Sequence, residues 1–204
     1  EGAFYNSGQS CCAVERIYVH EDVYDDFLDH FVEETGTYKV GNPLEKETSI
    51  GPLARKDQVH FLQKQVGDAL LKGASIACGE ERWEGQGYYF IPTVVVDVDH
   101  SMDLMKEESF GPVIGIQKVA SDEEAISLMQ DTEYGLTASV YADQWESAEP
   151  ILAAMKTGTV YWNCCDRVSP YVPWAGRKKS GIGATLSHQG IRAFTHTKSF
   201  HLRG

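Results

Sequence analysis

No apolar run in these 204 residues approaches the length of a membrane-spanning helix, which excludes a helical membrane segment within them. No signal peptide is visible, although a chain that begins at Glu1 rather than methionine gives that absence little weight. Basic residues are scarce: 18 Lys and Arg stand against 30 Asp and Glu, leaving a formal net charge of −12. The longest basic cluster is Arg177-Lys178-Lys179, so nucleic acid and anionic membrane surfaces are excluded as partners. The five cysteines (Cys11, Cys12, Cys78, Cys164 and Cys165) are odd in number and include two adjacent pairs. They lack C-x-x-C spacing, and the scattered histidines lack an H-x-x-x-H pair. Neither a disulfide scaffold nor a metal site is expected, and a reducing, cytoplasmic compartment suits such thiols. Internal repeats and low-complexity segments are absent as well.

What is present is an alternation of strand and helix patterns. Arg16–His20 is β-branched and aromatic and predicts a strand. Val23, Phe27 and Phe31 recur at helical spacing opposite Asp25, Asp26, Asp29, Glu33 and Glu34. Val59, Leu62, Val66 and Leu70 mark a helix over 55–72, with Gly73 as its C-cap. Strands are expected over 74–78, 93–97, 113–116, 138–141 and 159–163. Ser121-Asp122-Glu123-Glu124 reads as a capping box that opens another helix. Pro150 predicts a late start or a kink in the helix through Ala148, Leu152 and Met155. A helix is expected over 187–193, and Lys198–Leu202 alternates like a terminal strand. The segment 164–183, rich in glycine, proline and aromatics, reads as a functional loop. Together these units predict an α/β fold, a three-layer αβα arrangement around a mostly parallel sheet. One domain is expected over residues 1–196, followed by a C-terminal strand at 197–204.

The most informative stretch is Phe4-Tyr5-Asn6-Ser7-Gly8-Gln9-Ser10-Cys11-Cys12-Ala13. Gly8 permits a tight backbone path, and Cys11 opens a short apolar run. A thiol serves covalent catalysis as a thiolate, which requires partial exposure near backbone N–H donors, cations or a base. Taken alone, Cys11 reads as an ordinary buried thiol, the commonest fate of a free cysteine. The stretch resembles the active-site cysteine motif of the aldehyde dehydrogenase superfamily: an aromatic, then Gly-Gln, a variable residue and the nucleophile. In that alignment Cys11 is the nucleophile and Cys12 a silent neighbour. The family's enzymes are longer and carry a dinucleotide-binding half ahead of this motif. With Glu1 only ten residues before Cys11, the resemblance implies a C-terminal catalytic half.

Two further stretches carry the same resemblance. Glu107-Glu108-Ser109-Phe110-Gly111-Pro112-Val113 is similar to the family's Glu-x-Phe-Gly-Pro motif. It implies that Glu108 holds the nicotinamide ribose hydroxyls of NAD or NADP, while Phe110 packs beside the nicotinamide. A carboxylate suits vicinal hydroxyls because it accepts from both with charge assistance; the plainer reading is a solvated glutamate beside a core phenylalanine. Pro173-Trp174-Ala175-Gly176 through Ser180-Gly181-Ile182-Gly183 is similar to the family's Pro-aromatic-small-Gly signature. By position it implies that Cys165, Asp166, Arg167, Val168 and Trp174 face the aldehyde substrate. Trp174 reads equally as a core residue. Gln58 matches a position that touches cofactor in some relatives, though a helix-surface glutamine needs no such role.

The resemblance implies oxidation of an aldehyde to a carboxylic acid through a cysteine thiohemiacetal and thioester. It also implies assembly of the longer enzyme into a homodimer or homotetramer through the C-terminal strand. The isolated chain is expected to fold but to be inactive, because the phosphate cradle, the hydrolytic glutamate and the oxyanion asparagine belong to the other half. A non-catalytic, crystallin-like role and a coenzyme A-acylating enzyme are the alternatives, and a stand-alone cysteine hydrolase lacks a recognisable base.

Overall fold

The alternating patterns build a sheet whose strands are buried on both faces. The computed structural model of the protein describes every residue except Arg82 and Asp166. The chain divides into two compact units, Glu1–Thr132 and Glu133–Gly204.

In the first unit, strands β1 (Arg16–His20), β2 (Ser75–Cys78), β3 (Thr93–Val96) and β4 (Val113–Val119) form one sheet in the order β1-β4-β3-β2. β4 runs parallel to both β1 and β3, and only β2 is antiparallel. Helix α1 (Tyr24–Gly36) packs with Val19, Val94, Val96, Ile114 and Ile116 through Tyr24, Phe27, Leu28 and Phe31. Helix α2 (Lys56–Leu71) packs through Leu62, Val66 and Ala69 with Val95, Val113 and Met105. Val94 and Val96 thus serve one face and Val95 the other, the two-residue alternation of a strand covered on both sides. This is the expected αβα layering. Gly115 lies under the second face, where a Cβ would meet Met105 Sδ at 2.4 Å.

The predicted helix signals operate as expected. α2 ends with Gly73 at φ +103°, and the Ala74 N–H returns to the Ala69 carbonyl, so glycine supplies the left-handed closing residue. Ser121 Oγ accepts from the Glu124 N–H at the start of α3 (Asp122–Gln130). The Glu124 carboxylate accepts from the Ala120 N–H at 2.7 Å, closing the box one residue early.

The second unit is built from shorter pieces: β5 (Tyr134–Gly135), β6 (Thr137–Val140), α4 (Trp145–Ala154), β7 (Thr159–Trp162), β8 (Arg177–Lys178) and α5 (Ser187–Arg192). β6 pairs in parallel with β7, and β5 pairs antiparallel with β8. Contrary to expectation, α4 begins at Trp145 and runs through Pro150. The bond that proline forfeits would have used the carbonyl of Glu146, an exposed residue that water can serve, so the helix tolerates it. Residues 193–204 form no strand here, and Phe200 and Leu202 are 75% and 87% exposed. The alternation at Lys198–Leu202 therefore finds no sheet within this chain.

Candidate active site

Cys11 follows a turn that ordinary residues rarely adopt. Asn6, Ser7 and Gly8 have φ of +52°, +58° and +71°, three left-handed residues in a row. Such conformations persist where surroundings enforce them, and here the enforcing contacts are visible. Ser7 Oγ donates to the Gly51 carbonyl at 3.0 Å, and the Asn6 side chain donates to the Gln9 carbonyl at 2.9 Å. Gln9 Oε1 accepts from the Ala54 N–H at 2.8 Å. Gly8 sits against the Gly111–Pro112 backbone, where an added Cβ would lie 2.2 Å from the Gly111 oxygen. Glycine is required there by both space and φ.

The two adjacent thiols differ. Cys11 is exposed, and its N–H donates to no group of the described residues. Cys12 is buried, with its sulfur 3.4 Å from Ser10 Oγ.

Downstream of a short turn at Asp103–Met105, residues 107–112 bring the second motif to the same unit. Glu108 and Phe110 are exposed while Ser109 between them is fully buried, so the carboxylate-bearing and ring-bearing residues lie outward and the serine anchors the turn. Phe110 adopts φ +48° and is 37% exposed, and so is not the core phenylalanine of the plainer reading. Gln58, on the first turn of α2, donates from Nε2 to the Ser109 carbonyl at 2.5 Å. Its amide therefore engages the turn itself.

Sequence reasoning missed Glu15. Its carboxylate accepts from the Ser109 N–H at 2.8 Å and the Phe110 N–H at 3.2 Å. Burial pushes the Glu15 carboxyl up from its ordinary value; the two backbone N–H groups and Arg16 pull it down, and Glu108 pushes it up. The available signal was an acidic residue at the end of an apolar run, immediately before a strand, where a solvated charge has little reason to sit.

In the second unit, Cys165 and Arg167 lie near Tyr141, whose phenol is pushed up by burial first and then by Cys165 and Cys164. The Tyr161 hydroxyl donates to the Arg167 carbonyl at 2.5 Å and fastens that part of the loop. Val168 is exposed, and Trp174 is half-buried with its backbone paired to Thr185 by two hydrogen bonds. Asp166 lies outside the described residues. Among the described residues, no group of three or more His, Cys, Asp or Glu side chains is placed to hold a metal ion. No helix of the described residues is long and apolar enough to cross a membrane.

The chain matches known proteins along nearly its whole length. A family model described as "Aldehyde dehydrogenase family" matches residues 1–200. The chain is 42% identical over 194 residues to an aldehyde dehydrogenase of Paenarthrobacter nicotinovorans, covering 95% of this chain and 42% of that protein. It is 38% identical over 199 residues to the chloroplastic betaine aldehyde dehydrogenase of Atriplex hortensis, covering 97% of this chain and 40% of that one. Among solved structures, Escherichia coli lactaldehyde dehydrogenase superposes with a TM-score of 0.95 at 34% identity, covering all of this chain and 43% of that one. The betaine aldehyde dehydrogenase of Staphylococcus aureus in complex with NAD+ gives 0.90 at 31% identity, covering 95% of this chain and 39% of that one. The chain thus spans about two fifths of the length of these relatives.

Proposed function

This chain belongs to the aldehyde dehydrogenase family, and we propose that it supplies the thiol-bearing half of an enzyme that oxidises an aldehyde to a carboxylic acid with NAD or NADP. The observation that carries this reading is the exposed Cys11 in a strained turn, packed through Gly8 onto the backbone of the turn that presents Glu108 and Phe110.

In this account the Cys11 thiolate adds to the aldehyde carbon, forming a C–S bond and a tetrahedral oxyanion. The unengaged Cys11 N–H is the chain's own donor for that oxyanion. The chemistry that a bound nicotinamide supplies is acceptance of hydride. Cys11 then carries the carbon as a thioester, which water cleaves to the acid while the thiol is restored. Cys12, buried behind the turn, takes no part.

The residues present fit one end of a nicotinamide cofactor. Glu108 offers an exposed carboxylate suited to two vicinal hydroxyls, and Phe110 an exposed ring suited to a flat heterocycle. Gln58 belongs to the same end, its amide already spent on Ser109. Cys165, Asp166, Arg167, Val168 and Trp174 are assigned to aldehyde binding on their positions in the sequence motif. Residues 197–204, with Phe200 and Leu202 exposed, are assigned to subunit assembly as a dimer or tetramer. A reducing, cytoplasmic compartment suits a chain with none of its described cysteines in a disulfide.

The test is turnover of aldehydes of graded length by the longer enzyme, with NAD+ or NADP+ and with or without coenzyme A. Acid should form in step with reduced nicotinamide, independent of coenzyme A, and this chain alone should reduce none. Acyl-coenzyme A as the product, or no aldehyde-dependent reduction of either cofactor, contradicts the assignment.

A further inference from the structure

Ser109 and Phe110 are held by side chains that no chemical step requires. Both Glu15 oxygens are engaged: Oε2 accepts from the Ser109 N–H at 2.8 Å and Oε1 from the Phe110 N–H at 3.2 Å. On the other side of Ser109, Gln58 donates to the carbonyl. Glu15 lies four residues after Cys11, while Gly8, three residues before it, abuts the Gly111 backbone. The thiol-bearing segment therefore grips the 108–111 turn on both sides of the thiol. Phe110 sits at φ +48°, a conformation costly for a bulky residue and stable only under external constraint. One carboxylate accepting from two consecutive N–H groups fixes both peptide planes, and charge assistance strengthens each bond. As a residue Glu15 is only half-buried, but its carboxylate is enclosed, and desolvation outweighs the bonds it receives.

We propose that Glu15 is a positioning residue for the cofactor end of the site: it holds the Glu108–Phe110 turn so that carboxylate and ring face the nicotinamide ribose, and it fastens that turn to the segment bearing Cys11. This rests on the cofactor role assigned above to Glu108 and Phe110.

Two measurements test the positioning and that role separately. The first is amide hydrogen exchange on this chain, native and Glu15→Gln, read at Ser109 and Phe110. Glutamine keeps one acceptor oxygen and turns an NH2 toward the second N–H, so exchange at one or both amides should rise about tenfold or more while β4 is unaffected. Unchanged exchange at both amides overturns the positioning role whatever the cofactor does. The second is steady-state kinetics of the longer enzyme. Glu15→Gln should raise the cofactor KM about tenfold, leave the aldehyde KM and the alkylation rate of Cys11 within about twofold, and be partly rescued in Glu15→Asp. Faster exchange with an unchanged cofactor KM overturns the assignment of the turn to cofactor; an equal loss in every parameter overturns specific positioning in favour of a general structural role. Should Glu15→Gln fail to fold, the native chain still decides. The Ser109 and Phe110 amide protons should titrate together, with one midpoint above the ordinary 4.5 of a glutamate. Arg16 and Glu108 are the charged groups that bear on Glu15 there. Separate midpoints, or none, overturn the proposal.

Discussion

The turn that carries Cys11 and the loop that carries Trp174 are held by different means. Around Cys11 nearly every constraint is on the backbone: three left-handed residues, a glycine without room for a Cβ, and side chains that bond carbonyls and N–H groups of residues 51–54 and 109–110. Around Trp174 the backbone pairs with Thr185 by two hydrogen bonds, Val168 and Tyr171 stand exposed, and the Tyr161 hydroxyl ties down the segment beside the thiols through the Arg167 carbonyl. A reacting atom must be placed to a fraction of an ångström, whereas an apolar wall need only present area. The contrast is what the proposed roles, a fixed nucleophile and an adaptable substrate wall, require.

The sharpest break of that contrast is the nucleophile itself. In the longer enzyme, Cys11→Ala should lower aldehyde oxidation by about 1,000-fold or more, while Cys12→Ala and Cys165→Ala retain most of kcat. An active Cys11→Ala enzyme in steady-state kinetics removes the mechanism. Next in size is Gly8→Ala, which meets the Gly111 oxygen and needs φ +71°. It should destabilise the fold by about 3–5 kcal/mol in urea titration, whereas Gly181→Ala, strained at φ +117° but with open space around it, should cost only about 1–2 kcal/mol. Equal losses would mean that the thiol turn is no more constrained than the loop.

Trp174→Ala should shift kcat/KM between short and long aldehydes by about 1–3 kcal/mol and leave the cofactor KM alone. An unchanged ratio across aldehydes makes Trp174 a packing residue. The smallest effect concerns Glu15 and stability. Its folded-state carboxyl is raised above the ordinary 4.5, so its favourable linkage is present below that value and is lost as pH rises through the raised one. Glu15→Gln, neutral at every pH, should therefore gain stability relative to the native chain as pH rises from 4 to 7.5. A native chain that gains stability over Glu15→Gln as pH rises from 4 to 7.5 contradicts the buried-carboxylate account.

Legibility in the sequence divides along the same line. β1, α2, the Gly73 closure and the Ser121 cap are spoken for by residues within a few positions of each other, and the sequence patterns place them within a residue or two. β5 and β8 were not foreseen: each is two residues long, and they pair across some forty positions. The run at 198–202 has a strand's alternation, but alternation reports a half-buried surface without naming the partner. At the candidate site, Cys11, Glu108 and Phe110 stand out in the sequence as motifs. Glu15 does not, because its partners Ser109 and Phe110 lie ninety-four and ninety-five residues away. The left-handed stretch likewise needed the distant Gly51 and Gly111 backbones to explain it.

The central claim is that the Cys11 sulfur carries the substrate carbon. Acid quench of the longer enzyme during turnover with aldehyde and NAD(P)+, followed by peptide mass spectrometry, reads it directly. The account predicts an acyl mass on the peptide containing Cys11 and Cys12, retained in Cys12→Ala and absent in Cys11→Ala. An acyl adduct on Cys12, Cys164 or Cys165 instead would contradict it.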